Sequence, residues 1–373
     1  MTKQNDVFDY IEWRGDLSFE QSPFNEVDAL ILSIFSYLDF SCLNRDSLFF
    51  RYAIECINSM PDKQKFDGPG IIMKDVVLLA NAAAESKRYE TMRVFQFADI
   101  TNEYLEIQFA AVTFLLQDGT AFLSFRGTDN TIVGWKEDLN MCFINGIPSQ
   151  LEAAKYAKLV AEKLNIPLRF GGHSKGGNLA IWACAHLTPA QKNNVIDVYS
   201  NDAPGFNESF LNASYYLDIR DKIHSFVPES SIVGVLMEHD TYTTIRSTAA
   251  SLLQHNPFSW MINRTSFVYD TSRSFSGQQF EKVINSWIKA MSMEEREELV
   301  ENLYNIITSS DAKTLEDFDK TKLRSFISMS QTFREMGLKK QAQLLFSLSK
   351  ILFNSDTFLN GSLKSLLSET SNN

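Results

Sequence analysis

The spacing of apolar and polar residues divides the chain into a mixed first part and a helical last part. Residues 25–39 and 71–87 carry apolar positions at helical spacing. The pattern then changes to three runs of β-branched and aromatic residues, MRVFQFADI, EIQFAAVTFLL and TAFLSFRG. The Asp118-Gly119 pair between the last two runs is typical of a β-hairpin turn. The first part therefore starts with helices and continues into a strand hairpin.

Strands and helices alternate after this hairpin. Residues 149–165 have the spacing of a helix, LRFGG that of a strand, and a further helix begins near residue 177. VIDVYSND, at 195–202, is again a strand. Alternation of this kind indicates parallel βαβ units. We therefore predict an α/β fold with a largely parallel sheet flanked by helices.

The strand signal disappears from about residue 278. Helical spacing is carried there by six apolar residues: Phe280, Val283, Ile284, Trp287, Ile288 and Met291. Ser292 and Glu295 form a capping-box pattern for a next helix. More helical runs lie near 320–352, and the last residues, 361–373, are expected to fray. We predict an α/β domain over 1–277 and a helical appendage over 278–373, which either binds a partner or covers the core.

Composition narrows the class of protein. The 373 residues are 44% hydrophobic and 22% charged, which is enough apolar material for a large core. A net charge of −11 argues against broad nucleic-acid binding. We see no targeting or membrane-spanning segment, and the four cysteines lack CxxC spacing. We expect a cytoplasmic protein with reduced thiols, no metal and no cofactor.

One serine has the surroundings of a nucleophile. Ser174 lies between Gly172 and Gly176 in the G-x-S-x-G pattern, with a predicted strand before it and a predicted helix after it. Glycines permit the sharp strand-to-helix turn that exposes such a serine, and the helix N-terminus favours negative charge. An ordinary tight turn is the alternative.

A serine nucleophile needs a base, and the chain has five histidines: His173, His186, His224, His239 and His255. His173 adjoins the serine and is expected to support the loop, while His186 lies about 18 Å along the next helix. His224 falls inside a strand-like run. The base follows the nucleophile in this fold class. We choose His255, in a loop before Asn-Pro, and place His239 second.

Two carboxylates compete for the acid that orients the base. Asp202 ends the strand after the nucleophile helix, where sheet enzymes of this class gather catalytic groups. Glu229 ends the next strand. We prefer Asp202 and keep Glu229 as the alternative; either side chain could simply cap a loop.

An oxyanion hole needs two backbone donors. One comes from the residue after the nucleophile, Lys175. The loop Arg126-Gly127-Thr128, at the end of an earlier strand, can supply the other.

These motifs together resemble a known family. FRGTDNTIVGWKEDL (125–139) and GGHSKGGNLA (171–180) are similar to the class 3 lipase pattern. The chain more closely resembles a bacterial lipase-like family of undefined function, through a DYIEWRGDLSFEQ-like start, SNDAPGF, VPESSIVGVLMEHD and QHNPFSW. The resemblance covers about residues 8–290 and implies an α/β-hydrolase fold.

The resemblance also implies roles for single residues. Ser174 would be the nucleophile, His255 the base, and the N–H groups of Thr128 and Lys175 the oxyanion hole. Arg126 and Asp138 would be structural supports.

The chain departs from the class 3 lipase pattern at two places. The segment that carries the acid in those lipases has no aspartate here, which is why Asp202 and Glu229 compete. The lysine at 175 replaces an apolar residue, and we expect its side chain either to favour an acidic headgroup or to disturb acyl binding. Ile132, Val133 and Trp135 would form a lid or acyl contact, or pack beneath a helix.

The predicted function is a serine hydrolase that cleaves carboxylic esters, acyl lipids or lysolipids in particular, through an acyl-enzyme on Ser174. Thioesterase and peptidase activities are variants of the same chemistry. The expected partners are an ester or lipid substrate and, transiently, a membrane surface; the oligomeric state is left open. The alternative function is a non-catalytic lipase-like scaffold that binds lipid or a protein.

Overall fold

A computed structural model describes residues 5–43, 47–60, 71–129, 131–141, 143–144, 146–274, 278 and 291–308. The chain divides into two compact units, residues 1–277 and residues 278–373. The first unit contains the sheet and all the residues proposed for the site. In the second unit the described part is chiefly one helix.

In the described part of the first unit, eight strands form one sheet in chain order. These strands are β1 (Ser47–Phe49), β2 (Arg93–Asn102), β3 (Ile107–Leu115), β4 (Ala121–Phe125), β5 (Leu168–His173), β6 (Val195–Asn201), β7 (Ile223–Pro228) and β8 (Thr243–Ile245). Neighbours from β1 to β4 are antiparallel, and neighbours from β4 to β8 are parallel. The predicted α/β fold with a largely parallel sheet is confirmed.

Helices cover both faces of this sheet. They are α1 (Val7–Arg14), α2 (Glu26–Phe35), α3 (Phe50–Ser59), α4 (Met73–Glu85), α5 (Ile132–Asn140), α6 (Pro148–Leu164), α7 (Lys175–Ala185), α8 (Pro189–Lys192), α9 (Glu208–Leu211) and α10 (Ser214–Leu217). Short 3₁₀ turns lie at Arg220–Lys222, Val233–Val235, Ser251–His255 and Pro257–Ser259. A small hairpin, β9 (Ile262–Asn263) with β10 (Ser266–Phe267), follows them.

The two faces of the sheet form two separate hydrophobic cores. Successive strand residues point to opposite faces, so Phe122 joins the core beneath α1 to α4 while Leu123 joins the core beneath α6 and α7. Strands β3 and β4 are buried throughout apart from the last residue of β3. Burial on both faces explains why their sequences are continuous apolar runs rather than alternating ones.

The element boundaries follow local signals in the sequence. The Asp118-Gly119 hairpin turn forms as predicted, with Gly119 at φ +79°. The helix predicted over 25–39 is shorter: α2 begins after the Asn25 cap and ends at Phe35, and Ser36 turns its hydroxyl back onto the Ser33 carbonyl.

The described helix of the second unit is α11 (Met293–Thr308). Its predicted capping box forms: the Glu295 carboxylate accepts from the Ser292 N–H at 2.8 Å, and the Glu295 N–H donates to the Ser292 hydroxyl at 3.1 Å. The helix predicted from Phe280 onward lies outside the described residues except at Met291. The runs near 320–352 and the end at 361–373 lie outside them entirely. Within the described part of the chain, no helix has the length and apolar character to cross a bilayer.

Candidate active site

Ser174 alone makes the turn between β5 and α7. Its backbone lies at φ +58° and ψ −137°, a conformation that is strained for a residue with a side chain. Its N–H donates to the Asn201 carbonyl at 2.9 Å, which fixes the turn to β6. A Cβ at Gly172 would lie 2.2 Å from the Gly176 carbonyl carbon, and one at Gly176 would lie 2.0 Å from the Phe125 oxygen. The two glycines of the motif are therefore required for this sharp strand–serine–helix turn.

His255 and Asp202 form a hydrogen-bonded pair. His255 ends a 3₁₀ turn, and its Nδ1 lies 2.7 Å from Oδ2 of Asp202. The Asp202 side chain is fully buried and that of His255 is nearly so. Nε2 of His255 is buried and has no hydrogen-bond partner among the described residues. One ring nitrogen of His255 is therefore held by a buried carboxylate, and the other is left open to a further partner.

The backbone explains why Asp202 reaches His255. Asp202 directly follows β6, lies at φ +51° and donates its N–H to the Phe226 carbonyl at 2.8 Å. Glu229 directly follows β7, and its N–H donates to the Ile245 carbonyl. In the described part of the chain, no hydrogen bond joins the Glu229 side chain to a histidine. Of the preferred acid Asp202 and its alternative Glu229, the structure brings Asp202 to His255.

His173 supports the pair from below. It is fully buried, its Nε2 lies 2.8 Å from the His255 carbonyl oxygen, and the two ring centroids are 4.6 Å apart. Its Nδ1 lies 3.4 Å from the Tyr37 hydroxyl. Burial, and then the nearby His255, holds the pKa of His173 well below its ordinary value. The ring is therefore neutral at neutral pH and serves as a spacer.

The predicted oxyanion loop lies directly against the serine. A Cβ at Gly127 would be 3.1 Å from the Ser174 Cβ and 2.7 Å from the His173 carbonyl oxygen. The next residue, Thr128, donates its hydroxyl to Oδ2 of Asp138 at 2.5 Å. Lys175 is the first residue of α7, so its N–H has no acceptor within the helix. The structure thus brings the two segments with the predicted donors to one serine.

The expectation for the Lys175 side chain was wrong. The side chain is fully buried, and Nζ donates to the Gln108 carbonyl at 2.9 Å, to Oε1 of Gln108 at 2.7 Å and to Oε2 of Glu137 at 3.0 Å. It cannot meet an acidic headgroup or a bound acyl chain. Glu137, on α5, makes this possible because it supplies a buried opposite charge.

Arg126 and Asp138, the two predicted supports, are both hydrogen-bonded: Arg126 to Asp99, and Asp138 to Thr128 of the oxyanion loop. The Arg126 guanidinium makes two hydrogen bonds of 3.0 Å to the Asp99 carboxylate. Burial raises the pKa of Asp138 to about 6, against the opposing effects of Lys175 and of the Thr128 hydroxyl. Val133 is buried, and the side chains of Ile132 and Trp135 lie outside the described part. A lid or acyl contact from this segment stays a prediction.

His224, His186 and His239 take no part in the His255–Asp202 bond. His224 is exposed and pairs with Asp197 at 2.8 Å. His186 Nδ1 contacts the Trp182 carbonyl at 2.8 Å on α7. His239, the second choice for the base, senses the charge of Asp202, but burial lowers its pKa to about 4. The acid is hydrogen-bonded to His255 instead.

Sequence reasoning missed three residues that shape the site: Tyr37, Gln108 and Glu137. Glu137 lies beside the predicted support Asp138, and a lysine in an otherwise apolar position was a signal for a buried partner. Tyr37 carried no signal, since it reaches His173 across 136 positions of sequence.

A comparison with protein-family models identifies the family of this chain. The model of the Mbeg1-like family matches residues 83–305, more than half of the chain. The chain belongs to the Mbeg1-like family. The matched range of this Mbeg1-like chain contains Thr128, Ser174, Asp202 and His255. Among curated proteins, none matches the sequence.

Several solved lipases are distantly similar to this Mbeg1-like chain. M37 lipase is 16% identical, with a TM-score of 0.38 over 57% of this chain and 70% of that one. The Rhizomucor miehei lipase in its propeptide complex is also 16% identical, with a TM-score of 0.34 over 45% and 66%. The lipase from Rhizopus microsporus var. chinensis is 18% identical, with a TM-score of 0.30 over 40% and 61%.

Proposed function

We propose that this Mbeg1-like chain is a serine hydrolase that cleaves carboxylic esters through an acyl-enzyme on Ser174. The observation that carries the proposal is the 2.7 Å bond between His255 Nδ1 and Asp202 Oδ2, two residues adjoining the strained serine turn through His173 and Asn201. A buried carboxylate paired to a buried imidazole is the arrangement that orients a base for a hydroxyl nucleophile. The Ser174 hydroxyl and Nε2 of His255 are not hydrogen-bonded in this structure, and the proposed reaction brings them together.

Each residue has a defined task in the proposed reaction. Asp202 accepts a hydrogen bond from Nδ1–H of His255, which leaves Nε2 as the proton acceptor. Nε2 takes the Ser174 proton as the oxygen attacks the ester carbonyl, and the N–H groups of Thr128 and Lys175 stabilise the resulting oxyanion. The C–O bond to the alcohol then breaks as the imidazolium returns the proton to the leaving oxygen.

Water completes the cycle. His255 removes a proton from water as the water oxygen attacks the acyl-enzyme carbonyl. The second tetrahedral intermediate then breaks its C–O bond to Ser174, the imidazolium returns the proton to the Ser174 oxygen, and the free acid leaves. Acyl lipids or lysolipids are the substrates that the motif resemblance favours. The burial of Lys175 supports an uncharged acyl group, because its amino group is paired with Glu137 and does not serve an anionic substrate.

The test is labelling of the purified protein with a fluorophosphonate, which reacts with activated serines. We expect the wild type to label, and Ser174→Ala and His255→Ala to lose labelling. Ser209→Ala, an exposed serine on α9, is the matched control and should label fully. A screen of p-nitrophenyl esters, lysolipids and thioesters then separates esterase from thioesterase activity.

A folded wild type that does not label would contradict the proposal. The alternative function, a non-catalytic lipase-like scaffold, would then be favoured. Binding to lipid vesicles or to a protein would become the property to measure. Folding of each variant is checked by circular dichroism, so that an unfolded protein is not counted as an inactive one.

A further inference from the structure

A lysine whose side chain is fully buried lies immediately after the nucleophile. Its amino group has three acceptors: Oε1 of Gln108, the Gln108 carbonyl and Oε2 of Glu137, all within 3.0 Å. Gln108 belongs to β3 and Glu137 to α5. The Lys175 side chain therefore connects the start of α7 with a strand and with the helix that follows the oxyanion loop.

Glu137 completes this connection. Its Oε1 accepts the Ser149 N–H at 2.8 Å, and its Oε2 accepts the Gln108 N–H at 3.1 Å as well as the lysine. Both carboxylate oxygens are thus used, and the Glu137 side chain is fully buried. Lys175 and Glu137 thus form a buried ion pair in which each charge is compensated, as burial requires, since an uncompensated charge at this depth is strongly unfavourable.

Helix α5 is joined to the oxyanion loop by the next residue along. Asp138 accepts the Thr128 hydroxyl at 2.5 Å, and its Oδ1 lies 3.8 Å from the Lys175 amino group. One continuous path therefore runs from Thr128 through α5 to Lys175. Its two ends are the two residues whose N–H groups would bind the oxyanion.

A buried ion pair needs a reason other than stability. Apolar residues of similar volume often serve the fold as well or better, and such pairs are weak evidence for stabilisation. An oxyanion hole, in contrast, works only when both donors lie about 3 Å from the oxygen that develops charge. A rigid, charge-assisted link between the donor segments meets that need.

We propose that Lys175 is a positioning residue: through Glu137 its side chain holds α5 and the oxyanion loop at a set distance from the start of α7. This inference rests on the proposed hydrolase function. It separates two tasks of one residue, because the backbone N–H of Lys175 binds the oxyanion and the side chain places the partner donor at Thr128.

The key variants keep the backbone donor and remove the link. Lys175→Met has no cation but retains the N–H. The double variant Lys175→Met/Glu137→Gln removes both charges. We expect it to fold even if the single variant unfolds because its Glu137 charge is uncompensated. Lys192→Met is the matched control, a buried lysine on α8 that pairs with Asp218 at 3.0 Å and lies outside this path.

Two readouts test the link on the full chain. Hydrogen exchange of the peptide covering 126–141 reports on the oxyanion loop and α5 without any chemistry. We expect exchange there to be at least about tenfold faster in the single and double Lys175 variants and unchanged in Lys192→Met, since the segment opens locally once its tie is lost. The fluorophosphonate rate should fall by about 10²–10³, the usual loss for one oxyanion donor.

Measuring kcat and KM separately on a p-nitrophenyl ester distinguishes a misplaced oxyanion donor from a disrupted binding site. Because the donors act in the transition state, kcat should fall while KM stays within about twofold. A folded double variant with wild-type exchange and a wild-type labelling rate would overturn the inference. If the wild type itself does not label, the hydrolase proposal fails, and the exchange result alone decides whether Lys175 ties the loop.

Discussion

Asp202 illustrates how much a single residue contributes to this site. It follows β6 with a positive φ of +51°, is held by the Phe226 carbonyl, and presents its carboxylate to His255 at 2.7 Å. Left-handed backbone is tolerated best by glycine, asparagine and aspartate among the common residues. The position therefore selects a short polar side chain, and only an acid there can hold an imidazolium.

The acid assignment predicts a difference between two conservative variants. Asp202→Asn keeps the shape but offers an amide to Nδ1, which favours the wrong imidazole tautomer, so labelling should fall by about 10³–10⁴. Glu229→Gln should stay within about twofold of wild type. Fluorophosphonate rate constants measure both. A larger loss in Glu229→Gln than in Asp202→Asn would reverse the assignment.

At the scale of elements, the site depends on how closely the oxyanion loop approaches the β5–α7 turn. Gly127 is the contact point, because a Cβ there would lie 2.3 Å from the Tyr37 hydroxyl and 2.7 Å from the His173 carbonyl oxygen. The loop, the segment after α2 and the serine turn thus meet at one residue. A shift of any one of the three moves the oxyanion donors relative to Ser174.

Gly127→Ala should therefore damage the site more than the fold. We expect a loss of about 1–3 kcal/mol in the free energy of unfolding from overpacking, and at least a tenfold loss of labelling rate. Gly119→Ala is the control: it is strained by φ +79° but meets no atom within 4 Å, and it lies in the β3–β4 turn. Gly119→Ala should lower the free energy of unfolding by about 1–2 kcal/mol and leave the labelling rate unchanged. Equal labelling losses in both variants would contradict this account.

At the scale of the whole molecule, the dense packing of the first unit leaves two histidines neutral. Burial lowers the pKa of His239 to about 4 and holds that of His173 well below its ordinary value. In the unfolded chain a histidine binds a proton below about pH 6.5. The unfolded state then takes up more protons than the folded state, so the stability present above pH 6.5 is lost as the pH falls toward 4.

His239→Gln tests this at one position. Glutamine can still donate toward the Leu236 carbonyl that the ring contacts, but it does not titrate. Between pH 6.5 and 4, the free energy of unfolding of the wild type should fall more steeply than that of the variant, by up to about 1.4 kcal/mol per pH unit. Urea unfolding at pH 7.5, 6 and 5 measures the difference. If the free energy of unfolding changed equally with pH in the two proteins, a neutral, buried His239 would be contradicted.

The sequence by itself determined the β3–β4 hairpin, the alternating strands and helices around Ser174 and the sharp turn at that serine. Apolar periodicity, the Asp118-Gly119 turn and the glycines around Ser174 are local signals, because each depends on backbone conformation within a few residues. For the same reason the Ser292–Glu295 cap could be predicted, as could the strand and helix on either side of Ser174. The roles of Ser174, His255, Thr128 and Lys175 in a reaction stay predictions.

Only the tertiary structure decided which acid meets the base and where the lysine points. Asp202 and Glu229 both follow parallel strands, so the sequence favours Asp202 but keeps Glu229 as an alternative. The position of His255 depends on how the 3₁₀ turn that it ends packs against the sheet. Lys175 looked like a ligand-facing cation because its acceptors, Gln108 and Glu137, lie 67 and 38 positions away. Contacts at such separations arise from the packing of helices on a sheet, and no local pattern in the chain encodes them.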